Sequence, residues 1–351
     1  MKKKSRHDTV KLPHNTNYGR DYDYMSIVPY DKAISKWTLH KNAAITMGER
    51  LCAAGTAARR MDIWLRGDVM KECSQRIEYT YCPECGSLHL RRTNLCRDRL
   101  CPLCAWRLSL QRTGEMMQVI EYLHQQRGSL SAAMLTLTIK NCPAHKLSDT
   151  LTQMLKGWDR LLKRRSVQKW VAGYARSIEM TRASNGEYHP HIHVFILWAA
   201  GYEKNISQRE WAEMWRQSMQ LDYTPIVDIR SAYGKTSDAS EWDKLVAASV
   251  EATKYAIKGV SLQAIPDSDL ISVADALKGR RLLSYGGCIK AARQALKIAA
   301  DSGEAPADVS DMSIECPKCG CTDTVAMAYN WAQATDGTTG AYLLAPWPYI
   351  V

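Results

Sequence analysis

The alternation of apolar and polar positions is clearest in the middle of the chain. Residues 132–140 (AAMLTLTIK) are rich in Leu, Thr and Ile and predict a strand. Residues 147–170 predict one or two amphipathic helices. Residues 174–182 (YARSIEMTR) predict a second strand, and Ser184, Asn185 and Gly186 are a turn signal. Residues 189–198 (HPHIHVFILW) predict the next strand, so the two form a hairpin. Ser207 and Glu210 form a capping-box pattern ahead of a helix over 211–219. A short strand over 226–229 and a long helix over 240–258 follow. The order strand, helix, strand, strand, helix, strand, helix predicts an α+β domain, with helices packed on a largely antiparallel sheet.

The flanks differ in character. Residues 1–75 predict a basic arm followed by a helical region, with helical composition over 33–66. Residues 76–112 form a cysteine-rich module, 113–300 the α+β domain, and 301–351 a cysteine-containing tail with an apolar end (AYLLAPWPYIV). No internal repeat is present.

Composition narrows the function classes. With 351 residues, 46% hydrophobic and 24% charged, the chain is globular rather than disordered or fibrous. Lys and Arg number 47 against 36 Asp and Glu, and the net charge of +11 favours a polyanionic partner: nucleic acid or an anionic membrane. The longest apolar run, 192–200, is broken by His193 and falls far short of the ~20 residues of a membrane helix. The charged start has no apolar run behind it, unlike a secretory signal. The expectation is a soluble, cytoplasmic protein whose twelve cysteines serve metal or thiol chemistry rather than disulfides.

Cys82-Pro-Glu-Cys85 and Cys101-Pro-Leu-Cys104 are two C-x2-C pairs fifteen residues apart, the spacing of a zinc ribbon. Each turn points two thiolates at one ion, and two turns close a tetrahedron. These four residues are the expected ligands of a structural Zn2+, with Cys96 and His89 as spare candidates. Arg91, Arg92, Arg97, Arg99, Arg107 and Arg112 surround them and offer phosphate contacts. Cys316, Cys319 and Cys321 form a half site with no nearby fourth ligand; joining Cys96 or Cys288, bridging two molecules, or serving no purpose all remain open.

His189, His191 and His193 alternate with Pro190, Ile192 and Val194, so a strand places all three imidazoles on one face. Such clustering points to a metal or a nucleophile. Two chemistries fit: a histidine pair plus a carboxylate holding a divalent ion, or the nucleophilic histidine of histidine-triad nucleotide hydrolases. On the helix over 240–258, Trp242, Leu245, Val246, Ser249 and Val250 share a mostly apolar face. Glu251 and Tyr255 fall on the opposite face, one turn apart, beside Lys244 and Lys258.

Several segments together resemble one family. They are LCRDRLCPLCAWRLSLQR (95–112), MLTLTIKN (134–141), SIEMTR (177–182) with YHPHIHVFIL (188–197), EATKYAIK (251–258) and ALKGRRLLSYGG (276–287). In this order they resemble the replication initiators of rolling-circle plasmids, members of the HUH endonuclease superfamily. Histidine-triad hydrolases carry none of the other segments. The resemblance implies an HUH-type antiparallel sheet and a metal-dependent endonuclease and strand transferase. It implies metal binding by His191 and His193, a nucleophilic Tyr255, and a Glu251 that activates water to end replication. His189 lies outside the two-histidine motif, and the motif holds one tyrosine, so re-initiation through a paired second tyrosine is not expected.

The implied partners are origin DNA, single-stranded or in an extruded hairpin, and a host helicase and polymerase in a bacterial cytoplasm, with no membrane. Imidazole and carboxylate ligation implies Mn2+ or Mg2+. Glu179, on the strand before the hairpin, is the best third ligand. That role requires a hairpin centred on residue 185 with an odd-length loop. A two-residue turn at Asn185 and Gly186 would instead pair Glu179 with Ile192, leaving His189 as the fallback ligand. Arg97, Arg99, Arg107, Lys163, Arg164, Arg165 and Lys258 are the expected DNA contacts, alongside a cluster at Lys278, Arg280 and Arg281. The alternatives are an HUH transposase or mobilisation relaxase, and a zinc-ribbon DNA-binding regulator without nuclease activity.

Overall fold

The computed structural model describes residues 30–200, 206–232, 240–255, 262–296, 309–310, 315–316, 318–333 and 339–345. The basic arm and Lys258 lie outside them, as do the side chains of residues 252–255. In chain order the elements are α1 (Tyr30–Ala57), α2 (Met61–Lys71), β1 (Arg76–Tyr81), β2 (Leu88–Thr93), α3 (Pro102–Arg127), β3 (Ala132–Thr138), α4 (Leu147–Leu162) and α5 (Arg165–Trp170). Then come β4 (Val171–Arg182), β5 (Tyr188–Trp198), α6 (Gln208–Met219), β6 (Val227–Ser231), α7 (Glu241–Tyr255), α8 (Leu270–Leu277), β7 (Leu283–Gly286), α9 (Gly287–Ala295), β8 (Val309–Ser310), β9 (Val325–Ala332) and β10 (Ala341–Leu344).

These elements form two compact units. One comprises Met1–Leu39, Gln75–Asn94 and Val309–Val351; the other comprises His40–Ser74 and Leu95–Asp308. The first contains an antiparallel sheet in the order β10-β9-β1-β2-β8. Strands from the C-terminal segment thus pair directly with β1 and β2. Ile77, Tyr79, Tyr81, Tyr329 and Tyr342 are buried apolar side chains of this sheet, with Tyr79 edge-on to Tyr329.

The second unit is built on an antiparallel sheet in the order β6-β3-β5-β4-β7, with β5 at its centre. Both faces are covered, which is why the strands read as near-continuous apolar runs. On one face Leu135, Leu137, Ile178, Met180, Ile192, Val194 and Ile196 are buried. α4 meets this face through Trp158, whose ring lies edge-on to Tyr174 at 5.1 Å. α6 meets it through Trp215, whose Nε1 donates to the Thr138 carbonyl at 2.9 Å. Each such side chain, fully buried, contributes about 1.5–3 kcal/mol.

The opposite face changes character along the strands. At one end Ala132, Ala175, Phe195 and Leu197 pack against Met116, Val119, Ile120 and Leu123 of α3, Leu245 of α7, and Ile289 and Ala292 of α9. Toward the other end the same face carries Thr136, Ser177, Glu179, His191 and His193, as the strand register requires. The predicted α+β order and antiparallel pairing are therefore present, and the histidines sit where the apolar layer gives way to polar side chains. No helix of the described residues is long and apolar enough to cross a membrane.

Candidate functional site

The β4–β5 hairpin decides whether Glu179 can join the histidines. Arg182 pairs with Tyr188 and Glu179 with His191, so the hairpin centres on residue 185 with five loop residues. Ala183 N–H donates to the Glu187 carbonyl at 2.8 Å, and Gly186 N–H to the Ala183 carbonyl at 3.0 Å. Gly186 takes φ +87°, open to glycine without strain. Asn185 Oδ1 accepts from Glu187 N–H at 3.1 Å, an Asx turn that holds the loop. The odd-length loop puts Glu179 on the histidine face; the tighter two-residue turn would have turned it away.

The three side chains converge. Glu179 Oε2 lies 3.2 Å from His193 Nε2 and 3.5 Å from His191 Nε2. Glu179 and His191 are buried, and His193 is half-buried. His191 Nδ1 is 3.1 Å from the His189 carbonyl, which can only accept, so Nδ1 carries the proton. With Nδ1 engaged in this way, Nε2 is the ring nitrogen that faces the Glu179 carboxylate. His193 Nδ1 meets Thr136 Oγ1 at 3.1 Å, a contact that orients the second imidazole. Burial pushes the Glu179 carboxyl up, but the two imidazoles outweigh it and bring it down to about 2, so the group is an anion.

These residues fit a divalent cation. Oxygen and nitrogen donors about 2.1 Å from an octahedral ion stand about 3 Å apart along one edge, close to the two separations found. Two imidazoles and one carboxylate on one side of an ion leave positions open on the other. His189 stands apart from this group, its Nδ1 contacting Asn141 Oδ1 at 2.7 Å.

The structure groups these cysteines in two sets of four rather than the one set expected. Cys82 and Cys85 close with Cys316 and Cys319, whereas Cys101 and Cys104 close with Cys73 and Cys96. Each C-x2-C pair finds two further thiols within its own unit: the first on the C-terminal segment that pairs with β1, the second just after α2 and in the 95–100 loop. His89 Nε2 stands 2.9 Å from Ser87 Oγ and 3.6 Å from Cys316 Sγ, beside the first group rather than in it. Cys288 joins neither group. Sequence reasoning missed Cys73, which lies alone among apolar and charged neighbours with no spacing signal.

Tyr255 closes α7, whose Leu245, Ser249 and Val250 are buried and which packs on β4 and β5. Its side chain lies outside the described residues; Glu251, one turn earlier, is half-buried. Among the basic residues, Arg97, Lys163 and Arg165 are exposed, and Arg97 has φ +61°. Arg99 is half-buried, and Arg107 lies over the Trp106 ring at 5.5 Å. Arg164 is held by Gln217 Oε1 at 2.6 Å and Ser218 Oγ at 3.2 Å. Arg112 is buried at 5% exposure, and Arg280 donates to Ser148 and to the Ala276 carbonyl. Those two arginines serve packing rather than an open phosphate surface.

Residues 87–338 match a family described as replication proteins. The chain is 32% identical over 301 residues to a protein rep from Bacillus amyloliquefaciens, covering 80% of this chain and 88% of that one. A protein rep from Streptococcus pneumoniae is 35% identical over 223 residues, covering 61% of this chain and 67% of its own. One from Lentilactobacillus hilgardii is 35% identical over 237 residues, covering 65% and 74%. No solved structure gives a significant match.

Proposed function

The chain belongs to the Rep family of replication proteins, the initiators of rolling-circle plasmid replication, and on that premise we propose that it is an HUH endonuclease that nicks one strand of its origin through Tyr255. The observation that carries this reading is the convergence of Glu179 Oε2 with the Nε2 atoms of His191 and His193, at 3.5 Å and 3.2 Å, on the central strands of an antiparallel sheet. Mn2+ or Mg2+ held by these three residues would neutralise charge on the scissile phosphate. Tyr255 Oη attacks the phosphorus and loses its proton. The bond to the 3′ oxygen breaks, that oxygen takes a proton, and the 5′ phosphate remains on the tyrosine. A tyrosine hydroxyl, with a pKa of about 10, is a better leaving group than an alcohol, so attack by a 3′-OH reverses the step and rejoins the strand. The free 3′-OH meanwhile primes a polymerase.

Glu251, four residues before Tyr255 on α7, would take a proton from the water that releases the protein at the end of a round. Exposed Lys163 and Arg165, at the junction of α4 and α5, track phosphates without reading sequence. Arg97 and Arg107 add charge near the start of α3. A host helicase and polymerase in a bacterial cytoplasm complete the reaction.

Incubating the protein with a single-stranded origin oligonucleotide and Mn2+, beside Tyr255→Phe, tests the reading. A denaturant-resistant protein–DNA band is expected from the parent chain and not from the variant or with chelator. Cleavage of that oligonucleotide by Tyr255→Phe at the parent's rate would refute the role of Tyr255.

A further inference from the structure

All twelve cysteines are free thiols, and eight gather in two groups of four, each with its sulfurs within 4.8 Å of one another. In the first group Cys82 Sγ is 3.5 Å from Cys319 Sγ, and Cys85 Sγ is 3.6 Å from Cys316 Sγ. In the second, Cys104 Sγ is 3.6 Å from both Cys73 Sγ and Cys96 Sγ. A disulfide needs about 2.0 Å. Four sulfurs placed about 2.3 Å from a central zinc form a tetrahedron with edges of about 3.8 Å. Both groups have nearly that size.

The backbone around the first group is built twice to the same plan. Cys82-Pro-Glu-Cys85-Gly86 and Cys316-Pro-Lys-Cys319-Gly320 share a sequence pattern. Gly86 N–H donates to the Cys82 carbonyl at 2.9 Å and Gly320 N–H to the Cys316 carbonyl at 2.8 Å, with φ of +63° and +73°. Cys82 N–H donates to the Ser87 carbonyl at 2.9 Å, and Cys316 N–H to the Cys321 carbonyl at 2.8 Å. Two matching knuckles 234 positions apart in sequence face each other through their thiols, as a ligand-free contact between cysteines would not require.

The second group has a different construction and an independent sign of negative charge. Cys101 caps α3, its Sγ accepting from Cys104 N–H at 3.5 Å, and Cys73 Sγ accepts from Cys96 N–H at 3.3 Å. Lys41 is fully buried beside it, with Nζ donating to the carbonyls of Lys71 at 2.5 Å and Cys73 at 2.7 Å. A buried ammonium is costly unless a negative charge stands near it. Four thiolates around Zn2+ carry a net charge of −2, which Lys41 partly offsets.

We propose that the protein holds two structural zinc ions, one bound by Cys82, Cys85, Cys316 and Cys319 and the other by Cys73, Cys96, Cys101 and Cys104. Each ion stands inside one compact unit. The first ties the C-terminal segment to the β1–β2 hairpin; the second ties the end of α2 to the start of α3.

Elemental analysis of the full-length protein tests the stoichiometry, in a His193→Ala background so that the histidine site contributes no zinc. Two zinc per chain are expected, falling to one in Cys319→Ser and to one in Cys96→Ser. One zinc in the parent, kept by both variants, would overturn the proposal in favour of a single site at Cys82, Cys85, Cys101 and Cys104. If a variant fails to fold, alkylation of the native parent followed by peptide mass spectrometry decides instead. Cys319 is exposed and Cys321 half-buried, so exposure alone predicts that Cys319 reacts first. With zinc bound, Cys321 is expected to react without chelator and Cys319 only after chelation. Rapid alkylation of Cys319 in the untreated protein would overturn the first site, and rapid alkylation of Cys96 the second.

Discussion

Replacing Thr136 by valine isolates the support of one imidazole from the rest of the site. Thr136 lies on β3 between β5 and β6, paired with His193 on one side and Asp228 on the other. Its Oγ1 stands 3.1 Å from His193 Nδ1. Valine has nearly the same shape and favours strands, so the sheet is retained while the hydroxyl is lost. Partners of this kind fix the ring orientation of a metal-binding histidine, and their removal typically weakens metal affinity 10–100-fold, or about 1.4–2.7 kcal/mol. The Mn2+ concentration giving half-maximal nicking of a single-stranded origin substrate is expected to rise by that factor, with cleavage approaching the parent's at saturating Mn2+. Urea unfolding alongside checks that the fold is intact. An unchanged half-saturation in a folded variant would refute the argument that Thr136 orients a ligand. So would loss of cleavage at every Mn2+ concentration, which would place Thr136 in another role.

Four further outcomes are expected. Glu251→Gln should form the covalent protein–DNA adduct normally but release it more slowly, seen as an adduct that persists in a chase with excess unlabelled DNA; release at the parent's rate would remove Glu251 from that step. Trp158→Ala, at a site 4% exposed against Tyr174, should cost about 3–5 kcal/mol in urea unfolding, and a loss below about 1 kcal/mol would contradict the packing of α4. Gly287→Ala should lose about 1–3 kcal/mol, because φ is +56° and a Cβ there would run into the Ala172 carbonyl and Gly173; a melting temperature equal to the parent's would contradict it. Lys163→Ala and Arg165→Ala should each flatten the dependence of log K on log salt for single-stranded DNA by about 0.7, and an unchanged slope would remove that residue from the phosphate track.

The hairpin was legible in advance because its physics is local. The alternation of His189, His191 and His193 fixes their shared face, and Ser184, Asn185 and Gly186 fix the turn. Sequence left two registers open, and the five-residue loop chose the one that brings Glu179 to His191. The capping box at Ser207 and Glu210 was readable for the same reason and forms as written, with Glu210 N–H donating to Ser207 Oγ at 3.2 Å. The two cysteine groups were only half legible. A C-x2-C spacing says that two thiolates serve one ion, but not which distant thiols complete it. Cys316 meets Cys85 across 231 positions because β9 pairs with β1, and no local pattern predicts that pairing. Cys73 carried no spacing signal at all. Tyr255 was visible through family resemblance alone, since a tyrosine one turn after a glutamate on the polar face of a helix is ordinary.

The central claim is that Tyr255 carries the broken strand, and mapping the attachment tests it most directly. The adduct formed on a single-stranded origin oligonucleotide with Mn2+ would be digested with nuclease and trypsin and read by tandem mass spectrometry. The account predicts nucleotide phosphate on the peptide Tyr255–Ala256–Ile257–Lys258, with the other DNA product ending in a 3′-OH that a polymerase extends. Phosphate on His189, His191 or another tyrosine, or cleavage that leaves a free 5′ phosphate and never a protein-bound one, would contradict it.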